Sequence, residues 1–255
     1  MKLQLATWPD IEDYLKRSTT ILIPVGSTEQ HGPNGFIGTD ALCPEIFADG
    51  LSKEYDVLVA PTFSVGMAQH HLGFPGSITL RPSTMIAVVL DWLNSLAKHG
   101  FTRFYFLNGH GGNIATLTAA FSELYAQSSL NLPGSNRPGL QCKLRNWWEA
   151  PGLKRLSGEL FGADEGSHAT CSEVSLTWYA YPEQAKTGIK FDERASTGPI
   201  FDSADFRRRY PDGRMGSNPG RASVEAGRRI YETGLPGLAE DFRSFAATGD
   251  DSDGD

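Results

Sequence analysis

The chain has 255 residues, 40% hydrophobic and 21% charged, which suits a soluble globular protein with one sizeable α/β core. Its formal net charge of −7 argues against a nucleic-acid or anionic-membrane surface, and no apolar run approaches the ~20 residues that span a bilayer. Three cysteines, Cys43, Cys142 and Cys171, show no CxxC spacing, and residues 1–9 lack an extended apolar core, so no disulfide framework is expected and a reducing cytoplasm is.

In chain order, Pro9 to Lys16 reads as a short opening helix and Ile21 to Val25 as a buried strand. Asp40 to Leu51 carries apolar residues at helical spacing, and Asp56 to Pro61 reads as a second buried strand. A loop rich in Gly, His and Phe fills 62–81. Ser83 to His99 is an amphipathic helix with Ser83 as its cap and Gly100 as its stop. Phe101 to Leu107 is a third strand, followed by a helix over Ile114 to Ser128 and a Pro/Gly/Asn-rich connection over 129–139. Leu140 to Trp148 reads as another strand, and Gly158 to Phe161 as loop. Thr170 to Tyr181 reads as a helix that ends at Pro182. Residues 183–221 look irregular apart from a helical piece near Ser203 to Tyr210. Arg221 to Phe245 gives a last helix, interrupted at Gly234 and Pro236, and the acidic tail 248–255 is expected to be disordered. Strand and helix alternate as in a parallel sheet covered on both faces, and no linker divides residues 1–247.

Candidate chemistry collects at strand ends. Glu29, His31 and Asp40 follow the first strand, and Glu29 and His31, two apart, share a side on extended backbone. His110 sits in the Gly-rich turn Asn108-Gly109-His110-Gly111-Gly112-Asn113 after the third strand, and His168 with Glu173 opens a helix. A parallel sheet gathers such groups at its carboxyl edge. Mixed oxygen and nitrogen donors suit Zn, Mn or Fe(II) better than calcium. The turn at 108–113 could instead cradle a phosphate, but it has neither the G-x-G-x-x-G spacing nor a Walker lysine. Cys171, three residues from His168, is a candidate thiol nucleophile or, as lone cysteines usually are, a small buried hydrophobe.

Five motifs together resemble the creatininase family: Pro24-Val-Gly-Ser-Thr-Glu-Gln-His-Gly-Pro33, Thr39-Asp40, His71-Leu-Gly-Phe-Pro-Gly-Ser77, Asn108-Gly-His-Gly-Gly-Asn113 and His168-Ala-Thr-Cys-Ser-Glu-Val-Ser175. The match runs from about residue 5 to 235. The resemblance implies a three-layer αβα sandwich with a mostly parallel central sheet and a homo-oligomer, often a hexamer. It also implies two divalent ions (Zn, Mn or Fe) whose bound hydroxide hydrolyses a C–N bond of a small polar amide, lactam or formamide. By position, Glu29 and His110 would bind one ion, His31 the other, and Asp40 both. Glu173 would be a further ligand and His168 the catalytic histidine. His71, Phe74 and Trp147 are expected at the substrate.

Several positions depart from the family pattern. Asn34 stands where relatives commonly carry a histidine, and Glu165 lies one step before the usual aspartate position, here Gly166. Creatinine-hydrolysing members carry a glutamate two residues after the histidine matched by His110; here it is Gly112, which argues against creatinine itself. Gly213 to Arg221 reads as a helix-start loop and Arg207 to Arg209 as a solvated face. A non-catalytic oligomer that binds metal or ligand on the same scaffold is the rival reading.

Overall fold

The computed structural model describes residues 1–132 and 139–247; the expected disordered tail 248–255 lies outside them. Three parallel strands, β1 (Thr20–Val25), β2 (Arg103–Asn108) and β3 (Gln141–Asn146), lie side by side in that order. Their register pairs Thr20 with Arg103 and Arg103 with Gln141, and the ladder closes on Val25, Asn108 and Asn146 at the carboxyl edge.

The alternation of the strands sorts the core into two halves. Ile21, Ile23, Val25, Phe104 and Phe106 point to one face, where they meet α1 (Trp8–Leu15), α3 (Pro82–Lys98) and α4 (Ile114–Ser129). Leu22, Tyr105 and Leu107 point to the other. They pack on α2 (Thr39–Tyr55), α5 (Leu153–Phe161), α6 (Cys171–Ala180) and α8 (Val224–Ala247). Helices on both faces of a parallel sheet make the three layers expected from the sequence. The remaining helix, α7 (Ser203–Arg209), lies apart from both cores, beside the turn at Gln69–Gly73.

Several elements differ from the sequence reading. The segment expected as a strand over Asp56–Pro61 lies against the outer side of β1. There Leu22 N–H donates to the Leu58 carbonyl (2.9 Å) and Ala60 N–H to the Leu22 carbonyl (2.8 Å), but it forms single bridges rather than a ladder. Gly158 to Phe161 is helical, the end of α5, because Leu153, Leu156 and Phe161 bury one side of it. Helix α3 starts with Pro82, and Ser83 is not its cap. Gly234 and Pro236 do not interrupt α8. A Cβ at 234 would lie 3.0 Å from the Phe47 ring, so glycine there lets the helix settle onto α2. The burial of Ile230, Leu235, Leu238 and Phe242 outweighs the lost proline hydrogen bond. Only Gln141–Asn146 of the expected 140–148 strand is in the ladder, and Trp147–Glu149 forms a 3₁₀ turn.

One polar cluster fastens α8 to the sheet. Asp241 accepts from the Tyr105 hydroxyl (2.7 Å), Lys143 Nζ (2.9 Å), and Arg145 Nη2 (2.6 Å) and Nε (3.1 Å). Burial raises the Asp241 carboxyl, but the bonds from Arg145, Tyr105 and Lys143 overcome it and hold it below the usual carboxylate range. A depressed carboxyl stabilises the fold above its unfolded value near ~3.9, and the contribution fades as pH falls through the folded value. Asp241→Asn is expected to cost about 2 kcal/mol in urea denaturation at pH 7, since these bonds are charge-assisted but partly solvated. The deficit should shrink when the same titration is run near pH 3; an undiminished deficit would mean that packing, not charge, joins these elements.

Candidate metal centre

The site forms where β1 and β2 end against the start of α2. Gly26 follows β1 and Gly109 follows β2, and a Cβ on either would come within 2.1 Å or 1.9 Å of the Asp40 carbonyl oxygen. Only glycine permits that approach, which wedges the first turn of α2 between the two strand ends. Asp40 thereby reaches His31 and His110 together: His31 Nε2 lies 3.0 Å from Asp40 Oδ1, and His110 Nδ1 lies 2.9 Å from Asp40 Oδ2. Glu29 Oε2 lies 3.3 Å from His110 Nε2, and Glu29 Oε1 lies 3.0 Å from His71 Nε2.

Glu173 arrives from the other side of the cleft. Thr170 caps α6, accepting from Glu173 N–H, while the Glu173 carboxylate accepts from Thr170 N–H (2.5 Å). This capping box orients the carboxylate, whose Oε1 lies 3.6 Å from His31 Nε2. Ala169 adopts a left-handed conformation (φ 52°), which turns the chain between His168 and α6 so that His168 and Glu173 both face His31. His168 N–H donates to the Met215 carbonyl (3.2 Å), and the Ser217 hydroxyl donates to the His168 carbonyl (2.7 Å).

Among the described residues, three groups place ligand atoms within 4.8 Å of one another: Glu29, Asp40 and His110; His31, Asp40 and Glu173; and Glu29, His31 and His168. The first two share Asp40. The donor set fits cations. Both Glu29 oxygens and Asp40 Oδ2 are buried without a hydrogen-bond partner, although imidazole nitrogens lie about 3 Å away. Buried carboxylates and imidazoles that converge in this way offer the mixed oxygen and nitrogen donors that a divalent ion would hold together once the imidazoles give up their protons. Burial lowers both His31 and His110, but neighbouring carboxylates more than reverse it: chiefly Asp40 raises His31 to about 10, and Glu29 with Asp40 raises His110 to about 9. Burial also pushes the Glu173 carboxyl up to about 7. His168 goes the other way, held well below the ordinary histidine value by burial and by the neighbouring His71 and His31.

A cavity of about 910 Å³ opens over these groups, lined by Asp40, His110, His168 and Glu173 and walled by Trp147, Trp148, Ile200, Phe206 and Met215. His71 lines it but turns its Nε2 toward Glu29. Trp147 lines it while packing on Phe47, with ring centroids 5.7 Å apart. Phe74 is not among the lining residues; it lies behind Phe206, under the Arg207 guanidinium at 4.1 Å. Arg207, Arg208 and Arg209 are exposed, the solvated face expected from the sequence, and Arg208 and Arg209 pair there with Asp205.

The turn at 108–113 is not an open phosphate cradle. Asn108 Nδ2 donates to the His110 carbonyl and to Asn146 Oδ1, and Asn113 joins the Gly26 carbonyl to Met67 N–H. Its polar groups are spent on holding loops together. Cys171 is fully buried, its thiol donating to the Asp164 and Asn218 carbonyls, and burial raises it away from thiolate character. A Cβ at Gly112 would lie 2.4 Å from His110 Nε2, so a larger residue there would displace that imidazole.

Sequence reasoning missed three groups in or beside the cleft. Gln30 is buried between His71 and His168, although period-two alternation sends it away from Glu29 and His31. Glu165 lines the cavity, hydrogen-bonded by Ser172 N–H (3.1 Å) and hydroxyl, with burial raising its carboxyl to about 7. The loop 211–217, read only as a lead-in to the last helix, supplies Gly213 and Met215 to this region.

Comparison with known proteins matches the architecture. A family model described as "Creatinine amidohydrolase" covers residues 4–242. The chain is 34% identical over 241 residues to the mycofactocin precursor peptide peptidase of Mycolicibacterium smegmatis, covering 88% of this chain and 85% of that one. It is 26% identical over 249 residues to the creatinine amidohydrolase of Pseudomonas putida, covering 93% and 94%. A solved structure described as "Creatininase Mn" superposes with a TM-score of 0.83 over 96% of this chain and 98% of that one; at 23% identity it shows the shared fold. No helix among the described residues is long and apolar enough to cross a membrane. With its length matched almost end to end and its strand ends carrying the five motifs, the chain belongs to the creatininase family of amidohydrolases.

Proposed function

We propose that residues 1–247 form one catalytic unit that binds two divalent ions, Zn or Mn, and hydrolyses a C–N amide bond. Glu29 and His110 would hold one ion, His31 and Glu173 the other, and Asp40 both. The observation that carries this reading is the sharing of Asp40 by two ligand groups in which buried carboxylate oxygens lack partners. When bound, a pair of ions lowers the pKa of a water and polarises the carbonyl under attack. The protein supplies the rest: the cavity admits the amide, its aromatic wall excludes bulk water, and His168 offers a donor beside Glu29, its Nδ1 lying 3.7 Å from Glu29 Oε1. Removal of the ions by EDTA should abolish hydrolysis, and titration back should restore it as occupancy approaches two per chain. Two ions per chain with no turnover on a broad amide panel would favour the non-catalytic rival.

An amide within a peptide is a better substrate class for this pocket than a small lactam. Two observations favour it: the cavity volume of about 910 Å³ with its aromatic walls, and the 34% identity to a protein named as a peptide peptidase. Gly112, where creatinine-hydrolysing relatives carry glutamate, points the same way. A homo-oligomer in the cytoplasm, a hexamer by family resemblance, completes the proposal, and light scattering measures the copy number.

A further inference from the structure

We propose that Gln30 is a positioning residue: its side-chain amide fixes which nitrogens of His71 and His168 carry protons. His168 therefore faces the cleft as an Nδ1–H donor and is excluded from the metal ligands. The kinetic consequence rests on the hydrolase reading above; the proton positions do not.

The Gln30 side-chain nitrogen can only donate. Gly32 N–H donates to Gln30 Oε1 (2.8 Å), which fixes the orientation of the amide and turns its NH₂ the other way. That NH₂ lies 2.9 Å from His71 Nδ1, 2.9 Å from His168 Nε2 and 2.9 Å from the Gly213 carbonyl. An amide NH₂ has two protons and no acceptor capacity, so two N–H bonds are shared among three acceptors. A proton on either facing imidazole nitrogen would meet another donor in a buried site. Both nitrogens must therefore be bare, and each neutral ring carries its proton on the far nitrogen.

The packing leaves the amide no alternative position. Gln30 is 6% exposed, and Gly213, at φ 85°, passes so close that a Cβ there would fall 1.9 Å from Gln30 Oε1. For His71 the far nitrogen is Nε2, on the side of the ring that faces Glu29, 3.0 Å from Oε1. For His168 it is Nδ1, 3.7 Å from the same oxygen and beside the cleft. His168 is close enough to Glu29 and His31 to complete a third ligand group, yet a nitrogen that carries a proton cannot coordinate. The Gln30 amide thus decides between two roles that distances alone leave open.

The test uses ¹⁵N-histidine-labelled, zinc-loaded protein. Two-bond ¹H–¹⁵N correlations show which nitrogen of each of the six histidines is protonated. His168 is expected to show a protonated Nδ1 and a bare Nε2. Gln30→Glu keeps the acceptor for Gly32 N–H but turns an acceptor toward the rings, so the His168 proton should move to Nε2. At unchanged zinc content, kcat should fall about 10–100-fold with KM little altered, the usual scale for an outer residue that orients the reacting group. A wild-type spectrum with His168 protonated on Nε2, or zinc-bound through Nδ1, overturns the proposal, as does an unmoved proton in Gln30→Glu. If that variant does not fold, the wild-type spectrum still decides. The expected tautomer in a protein that hydrolyses no amide would defeat the function proposed above and leave this assignment standing.

Discussion

Asp40→Ala should strip both ions from the protein and remove hydrolysis by at least ~10³-fold, because Lewis-acid stabilisation worth several kcal/mol goes with them. The other ligand positions are divided between two groups, and Asp40 alone belongs to both the Glu29/His110 and the His31/Glu173 sets. Without it, each ion keeps two protein donors from its set, too few to compete with water. The backbone should tolerate the change. Asp40 lies in the first turn of α2, where its carbonyl, not its side chain, wedges against Gly26 and Gly109, and alanine favours the helix. Metal analysis after dialysis, read beside a thermal melt with EDTA present, separates loss of ions from loss of fold. A variant that keeps one ion per chain at full occupancy refutes the shared role.

The near half of this site was legible because it is local. Glu29, His31 and Asp40 follow one buried strand, and the run of β-branched and aliphatic residues from Ile21 to Val25 marked that strand. His110 was legible for the same reason at the end of β2, since parallel strands deliver their carboxyl ends to one edge. The helix over Thr170 to Tyr181 was also legible, though not the capping box by which Thr170 turns the Glu173 carboxylate toward His31.

What was illegible depends on contacts between distant segments. Gln30 sits between two sequence-adjacent ligands, and only the arrival of His71, His168 and Gly213 gives its amide a task. Phe74 shares a motif with His71, yet α7 places Phe206 in front of it. The segment at 57–60 has strand composition, but it lies outside β1, where single bridges replace a ladder. Helix α5 was hidden by Pro151, Gly152 and Gly158, residues that usually punctuate loops, and is held by the burial of Leu153 and Leu156 against the core around α8. In each case tertiary packing overrode a local preference.

His168→Ala should leave both ions bound and reduce kcat by ~10²–10⁴-fold, the scale of a lost proton-transfer or oxyanion-binding group. Geometry separates it from Asp40. Its Nε2 is engaged by Gln30, its ring stacks on His71 with centroids 4.4 Å apart, and its backbone is held by Met215 and Ser217. Nothing in that arrangement requires the imidazole for metal retention, whereas its Nδ1 is the nitrogen left to meet charge that builds on the substrate carbonyl. Burial keeps the ring neutral, so it can donate a hydrogen bond without placing a second cation beside the ions. KM should change little, because the donor matters most when the carbonyl oxygen becomes anionic. His168→Gln, whose amide can still donate, should recover part of the rate, and metal analysis of both variants should match the wild type. A near-normal kcat in His168→Ala would reduce the residue to a packing partner of His71, and loss of one ion would make it a ligand, in conflict with the proton position that Gln30 imposes.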